Sequence, residues 1–478
     1  MVEGAAVDYY LPDDCWETIF KFLVNNEDDY GDDNNNYHFS TLSTVSKQFL
    51  SITNHILFSL IVKPSVTIPD HPLFSLKVSI IGKPSDFLSR LIHRFSNLNS
   101  LHLMGNKLDE NLRQISSLSF ISLKSLHLNC GMCRSPNYFP ADGLQLVSRN
   151  ITTLTSLTCC HVHLRSSHLF LIAECFPLLE QLNLSYPRSW LREQESSLNE
   201  GVKALSSSLL KLRKVDLTHH HYINDQSLCY LFMKLEFLEE AIIIGCYQIT
   251  TNGFASAICE RPNLRSLSFS SSDDFDPEFA AISIVCPQIM SLTFTSHPYI
   301  EDRGIVLLFA SIFPNLQLLD LSGCSYLDED DICHVLRNCT KIRQLNLANA
   351  SIMKFRDMNF DVPKLEVLNL SHTKVDDEAL NVISKSCRGL LKLLLEDCWD
   401  VTEKGVNHVV ENCTQLREIN LMGCTKVHAN VVASMVLSRP SLRRIIPPQP
   451  NYCFSDTEME LFSRQRCLVQ TALMNLKL

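Results

Sequence analysis

A short pattern of apolar residues, L-x-x-L-x-L, returns along most of this 478-residue chain. It is plain in the segments "PNLQLLDLSGC", "TKIRQLNLANA", "PKLEVLNLSHT" and "TQLREINLMGC". The middle apolar residue of each copy, called the core residue below, recurs 14 times at spacings of 23 to 33 residues. So regular a period indicates one structural unit per copy, each burying its apolar side against the next. The core residues are Leu101, Leu126, Leu157, Leu182, Val215, Ala241, Leu267, Leu292, Leu319, Leu345, Leu368, Leu393, Ile419 and Ile445.

Each copy predicts a short strand followed by a helix. Alternate strand residues point to opposite faces, so the leucines face inward and the residues between them face solvent. Thr250, Asp376 and Thr402 each stand before a helical pattern, at the place where a side chain caps a helix. We therefore predict an α/β fold, a right-handed leucine-rich-repeat solenoid over residues 97–446, with short parallel strands inside and helices outside.

Cysteines recur at two fixed places in the repeat, at the end of a helix and just after a strand. A free cysteine behaves as a small buried hydrophobe, so we expect these residues to be packing residues. The pattern resembles the cysteine-containing subclass of leucine-rich repeats, found in cytoplasmic and nuclear proteins. The chain shows no secretory signal, and its 19 cysteines are therefore expected to be reduced thiols in the cytoplasm or nucleus. The repeating set is Cys175, Cys246, Cys286, Cys324, Cys339, Cys387, Cys398, Cys413 and Cys424.

Residues 1–55 precede the repeats and follow another pattern. The segments "LPDDCWETIFKFL" (11–23) and "LSTVSKQFLSI" (42–52) resemble the F-box motif. Proline is well tolerated at the start of a helix, and Ile19 and Leu23 share one helix face. The spacing departs from the motif, because an acidic, asparagine-rich insert lies near residues 25–39. We predict that this insert is a surface loop that leaves the apolar face of a small helical F-box intact. The matching residues are Leu11, Pro12, Ile19, Leu23, Val45, Ser46, Lys47 and Phe49.

A chain with both features resembles the F-box/leucine-rich-repeat proteins, a family especially expanded in plants. The resemblance implies a non-catalytic substrate receptor of an SCF-type ubiquitin ligase that needs no cofactor. Its F-box would bind a Skp-family adaptor, and through it a cullin scaffold, while the repeats would bind a protein target for ubiquitination. The residues implied in adaptor contacts are Leu11, Pro12, Ile19, Phe20, Leu23, Val45 and Phe49.

The target side of the repeats is predicted from the positions just before, just after and three after each core residue. These 42 positions hold three basic and five acidic residues, and the whole chain has a net charge of −10. Such a face does not suit an inositol phosphate or a nucleic acid, so a protein target is expected. Insertions at 130–143 and 185–197 and the run "HHHY" (219–222) supply further candidates. The candidate target-binding residues are Tyr186, Arg188, Trp190, Lys214, His219 and His220.

Two other classes of protein remain open from the sequence. One is a repeat scaffold with a degenerate F-box and no role in a ligase. The other is a thiol or zinc enzyme that uses Cys130, Cys133, Cys159, Cys160 and His161. Around the repeats, residues 56–96 are predicted as a degenerate first repeat or linker. Residues 447–478 are predicted as a C-terminal cap that leaves the period, with Pro447 and Pro448 ending the strand pairing. No stretch predicts a membrane span.

Overall fold

The fold is seen in a computed structural model that divides the chain into two compact units, residues 1–212 and 213–478. The residues it describes are the strand Ser59–Val62 and residues 99–104, 108–116, 123–130, 139–188, 195–258, 263–270, 285–295, 305–324, 327, 329–350, 355, 358–449 and 451–470. The predicted F-box and its acidic insert lie outside the described residues.

The first unit is a parallel sheet whose strands pair in chain order, with helices between them. The core residues predicted from the sequence pair directly across it, Leu101 with Leu126, Leu126 with Leu157, and Leu157 with Leu182. The strands are β1 (Ser59–Val62), β2 (Ser100–Met104), β3 (Ser125–Asn129), β4 (Ser156–Cys160) and β5 (Gln181–Asn183). The helices are α1 (Leu108–Ser116), α2 (Ala141–Asn150), α3 (Ser166–Cys175) and α4 (Glu195–Ser208).

The second unit repeats the same arrangement, with parallel strands in chain order from β6 to β16. Its core residues also pair in register from Val215 to Ile445. The strands are β6 (Lys214–Asp216), β7 (Glu240–Ile243), β8 (Ser266–Ser270), β9 (Ser291–Thr295), β10 (Leu318–Asp320), β11 (Gln344–Asn346), β12 (Val367–Asn369), β13 (Lys392–Leu394), β14 (Glu418–Asn420), β15 (Arg444–Ile446) and β16 (Leu468–Val469). The helices are α5 (Asp225–Lys234), α6 (Thr251–Ile258), α7 (Ile305–Ile312), α8 (Glu329–Asn338), α9 (Asp377–Ser386), α10 (Glu403–Asn412), α11 (Val431–Ser438) and α12 (Asp456–Arg464).

The predicted leucine-rich-repeat fold is confirmed, and all 14 predicted core residues are at most 2% exposed. The C-terminal segment differs from its prediction, because it does not leave the period. Val469 follows Ile445 by 24 residues and pairs with it, so β16 adds one more strand. Pro447 and Pro448 follow the end of β15 and so do not interrupt its pairing with β16. The Pro448 carbonyl accepts a hydrogen bond from the Gly423 N–H at 3.0 Å.

The repeating cysteines pack as the sequence predicts: all nine are buried except Cys175, which is half-buried. The thiol that follows a strand donates to a backbone carbonyl of the preceding repeat, as in Cys246 to Leu217 at 3.2 Å and Cys398 to Leu370 at 3.0 Å. Burial raises the pKa of the Cys246 thiol to about 12. A protonated, buried thiol is a poor nucleophile, so Cys246 is a packing residue.

Adjacent helices are also joined by a carboxylate. Asp377 accepts hydrogen bonds from the Thr402 backbone N–H at 2.8 Å, the Thr402 hydroxyl at 2.6 Å and the Gly405 N–H at 3.1 Å. Asp225 makes the same contacts to Thr250, at 2.7 Å to both donors. Orphan N–H groups at one helix start are thus satisfied by the previous repeat. No helix in the described part of the chain is long and apolar enough to cross a membrane.

Candidate interaction surface

The end of each strand is fixed by a polar side chain. In six repeats the residue just after the core residue is Asn or Asp, and its side-chain oxygen accepts a hydrogen bond from the backbone N–H two residues later, at 2.9–3.1 Å. This short-range bond turns the chain out of the strand. The side-chain oxygen of each of these residues is therefore engaged in a hydrogen bond within its own turn. They are Asn183, Asp216, Asp320, Asn346, Asn369 and Asn420.

The turn then passes through a left-handed backbone conformation at the fourth residue after the core residue. Among the repeats whose turns the structure describes, nine have φ between 54° and 78° at this residue. Glycine is the easiest fit there, and a residue with a side chain costs about 1–2 kcal/mol. Six of the nine nevertheless carry a side chain, and we call the positions four and six after the core residue the rim. The nine are His161, Tyr186, His219, Gly245, Gly323, Asn349, His372, Asp397 and Gly423.

Two of the predicted target-binding residues, Tyr186 and Arg188, lie on the rim of the first unit. Tyr186 is 46% exposed, and its ring stacks on the ring of His161 with centroids 5.2 Å apart. The backbone N–H of Arg188 donates to the Val162 carbonyl at 2.9 Å. Burial, and then the charge of Arg188, lowers the pKa of His161, so the neutral imidazole is favoured. Trp190, the third residue predicted here, lies outside the described residues.

His219 lies on the rim of the second unit, and its role in target binding stays a prediction. Its ring covers Gly245, where an added Cβ would lie 2.8 Å from His219 Nδ1. His219 also contacts His221 edge to face at 5.7 Å, and His221 stacks on Tyr247 at 5.5 Å. Burial, and then the charge of His221, lowers the pKa of His219. These rings form an aromatic and imidazole patch, the kind of surface enriched at protein interfaces.

His220 does not belong to this surface, which corrects its assignment to target binding. It is fully buried, and its Nδ1 hydrogen bonds with the Tyr222 hydroxyl at 2.6 Å. His220 is the fifth residue after its core residue, the position of the buried Cys246 and Cys398 in other repeats. That position points into the turn, so this histidine fills space inside the repeat.

The basic residues of the strand face are neutralised within the protein. Lys214 Nζ lies 2.9 Å from Glu240 Oε1, and Lys392 Nζ lies 3.2 Å from Glu418 Oε1. Arg444 reaches the same Glu418 oxygen at 3.8 Å. All three basic side chains predicted to lie on the strand face thus have a carboxylate neighbour. The face offers little net charge to an anionic ligand, and Lys214 stays a prediction as a target contact.

The cysteines considered for zinc or thiol chemistry lie mainly in the core. Cys130 and Cys159 are at most 2% exposed, and burial raises the pKa of Cys159 well above its usual value. Cys160 Sγ lies 3.2 Å from the Ser185 hydroxyl. Cys133 lies outside the described residues. Thiols buried in this way are inert, so Cys130 and Cys159 are packing residues.

Several rim residues were missed by reasoning from the sequence. Trp399 is 64% exposed six residues after Leu393, and Tyr247 has the same offset from Ala241. His372 lies at the left-handed position of its repeat. A signal was present, because every rim residue has a constant offset from a core residue.

No family model matches the chain. Among curated proteins, it is 24% identical over 225 residues to F-box/LRR-repeat protein 4 of Bos taurus, covering 44% of this chain and 35% of that protein. It is 24% identical over 163 residues to F-box protein SKIP1 of Arabidopsis thaliana, covering 34% of this chain and 52% of that protein. The matches thus span between a third and about half of these relatives' lengths. Among solved structures, the Rad7 and Elc1 complex in yeast is similar, with a TM-score of 0.45 and 18% identity over 87% of this chain and 89% of that one.

The repeated parallel strand and outer helix define a leucine-rich-repeat protein, an assignment that rests on the chain's own register and burial. The curated relatives are F-box proteins, two of them from a plant, and the chain is similar to them at 24–26% identity over part of its length.

Proposed function

We propose that this protein is the substrate-recognition subunit of an SCF-type E3 ubiquitin ligase. The observation that carries the proposal is the order of the chain, an F-box-like segment directly ahead of a leucine-rich-repeat domain, together with curated relatives named as F-box proteins. On this proposal the F-box segment binds a Skp-family adaptor, and the adaptor links it to a cullin. The protein works in the cytoplasm or nucleus and holds its target in place without making a bond itself.

The rim is proposed as the part of the repeats that contacts the target. Its side chains include the exposed Tyr186 and Trp399 and the half-buried Arg188, and Tyr, Trp and Arg are the residues that dominate binding energy at many interfaces. Tyr186 and Trp399 are its exposed large hydrophobic side chains among the described residues. The strand face, with its basic residues paired, supplies polar surroundings and little charge. A protein target therefore fits better than a polyanion.

Adaptor binding is tested by co-purification with a Skp-family adaptor. The unmutated chain is compared with a Leu11→Ala/Pro12→Ala variant and with a matched control in the insert, Asp32→Ala/Asp33→Ala. Binding by the unmutated chain and the control, with loss in the Leu11/Pro12 variant, supports the receptor proposal. If the unmutated chain binds no adaptor, the proposal is wrong and the scaffold alternative is favoured. Deleting residues 25–39 asks separately whether the insert weakens the interaction.

Target binding is tested by proximity labelling with a chain that lacks residues 1–55, so that targets accumulate instead of being degraded. A Tyr186→Ala/Trp399→Ala variant should lose most labelled partners. A Lys392→Ala variant on the strand face is the matched control and should keep them. Equal loss in both variants would contradict the placement of the target on the rim.

A further inference from the structure

Three side chains with metal-binding atoms converge on the rim of the second unit. His372 and Asp397 are the left-handed residues of consecutive repeats, and Glu396 precedes Asp397. Their ligand atoms all lie within 4.8 Å of one another, and His372 Nδ1 is 3.4 Å from Asp397 Oδ2. His372 is exposed and the two carboxylates are half-buried, so an ion can reach the cluster from solvent.

The backbone under these side chains is held in place by bonds between repeats. The His372 N–H donates to the Glu396 carbonyl at 2.7 Å, and the Asp397 N–H donates to the Met422 carbonyl at 2.8 Å. The Asn420 amide donates to Glu396 Oε2 at 3.2 Å. A hydrogen bond of this kind orients a carboxylate for a metal while leaving its other oxygen available.

The next repeat leaves room for the Asp397 carboxylate. Gly423 has φ of 75°, and a Cβ added there would overlap Asp397 Oδ1. The carboxylate therefore occupies the space that a side chain at position 423 would take. Two other histidines at the same position of their repeats have different neighbours: His161 stacks on the Tyr186 ring, and His219 covers Gly245.

We propose that His372, Glu396 and Asp397 form a binding site for a divalent transition-metal ion of the zinc type. One imidazole nitrogen and two carboxylates suit such an ion, whereas calcium and magnesium prefer oxygen ligands alone. Water completes the coordination, because three protein ligands leave a position open. The bound ion fastens two consecutive repeats at the rim and replaces repulsion between the carboxylates by shared attraction.

The site is tested on the purified full chain after metal removal with a chelator. Zinc chloride is titrated calorimetrically into the unmutated chain and into His372→Asn and Asp397→Asn, since asparagine tolerates a left-handed backbone. The control is His219→Asn, the same change at the equivalent rim position of another repeat. We expect both site variants to lose one equivalent of zinc, or to bind it at least tenfold more weakly, while the control keeps it.

The comparison with the control separates this site from zinc bound by any of the 19 cysteines. Cobalt titration gives a second readout, because thiolate ligands produce an intense charge-transfer band and a nitrogen–oxygen site does not. Should His372→Asn prove unstable by circular dichroism, Glu396→Gln takes its place. Equal stoichiometry and affinity in the unmutated chain and the site variants would overturn the proposal. So would the same loss in His219→Asn.

Discussion

The bond between Asp377 and the next helix predicts an unusual reversal in the effect of a glycine substitution. Gly405 is buried inside α10, where glycine to alanine normally stabilises a helix by about 1 kcal/mol. Here a Cβ would overlap Asp377 Oδ1 and push the carboxylate away from its three donors. Hydrogen bonds to a charged group contribute about 1.5–3 kcal/mol each, and water replaces part of them at this half-buried site. We therefore expect Gly405→Ala to destabilise the repeat by about 1–3 kcal/mol.

The Asp377→Ala variant removes the obstacle together with the hydrogen bonds. It should cost about 2–4 kcal/mol, because the Thr402 and Gly405 N–H groups lose their partner. In that background Gly405→Ala should be nearly neutral, within about 1 kcal/mol, since the helix gain is offset by the close Leu380 Cδ1 at 3.0 Å. The double-mutant cycle should thus show a coupling of about 2 kcal/mol between the two sites.

The assay combines urea unfolding with amide hydrogen exchange. Repeat arrays do not always unfold in one step, so exchange in peptides covering 402–412 reports the local change. Asp225 and Gly253 provide a related test, because a Cβ at Gly253 would also overlap the carboxylate that binds Thr250, although the Gly253 N–H itself donates to Thr250 Oγ1. If Gly405→Ala costs as much in the Asp377→Ala background as in the unmutated chain, the carboxylate is not what the added Cβ meets, and the reasoning fails.

Three further changes test other parts of the structure. Cys398→Ala should lower stability by about 1–3 kcal/mol in thermal unfolding, because it leaves a void and removes the thiol donor to the Leu370 carbonyl; a change below about 0.5 kcal/mol would contradict this. His220→Ala should cost about 2–4 kcal/mol in urea unfolding, since it opens a cavity and takes away a partner of the Tyr222 hydroxyl; lost target binding at unchanged stability would instead make it a contact residue. Burial lowers the pKa of His168 to about 4, so as the pH falls the unfolded chain protonates this histidine before the folded chain does, and stability should fall between pH 6.5 and 4. Urea midpoints measured at pH 7 and 5 should therefore fall less in His168→Gln than in the unmutated chain, and an equal fall in both would refute this prediction.

The repeat core could be predicted from the sequence because its rules are local. Each leucine of L-x-L must face inward, and a one-residue slip would expose the whole apolar set. The register from Leu101 to Leu182, and from Val215 to Ile445, follows from that constraint. The C-terminal strand β16 was missed because it has only two residues and follows two prolines.

The surface was harder to predict, because consecutive residues of the same type can be exposed at one position and buried at the next. In "HHHY", His219 and His221 lie on the rim, whereas His220 between them is buried inside the repeat. Only the offset from Val215 separates them, and composition carries no such information. The pairing of His372 with Asp397 depends on how consecutive repeats stack. It becomes visible only when the two left-handed turns are placed side by side.

The division of roles within a repeat limits where binding specificity can lie. In the repeat whose core residue is Leu393, the side chains of Leu393, Leu395 and Cys398 are all buried. A substitution at any of these three residues therefore disturbs packing before it alters a surface. The residue just after the core residue closes the turn in many repeats, which restricts it to Asn or Asp wherever that bond is needed. Exposed rim residues such as Tyr186 and Trp399 carry neither constraint, and only the fourth residue after the core residue must also accept a left-handed backbone. Because those positions can change without unfolding the repeat, target specificity under the proposed function is expected to lie there, and rim substitutions should change binding far more than stability.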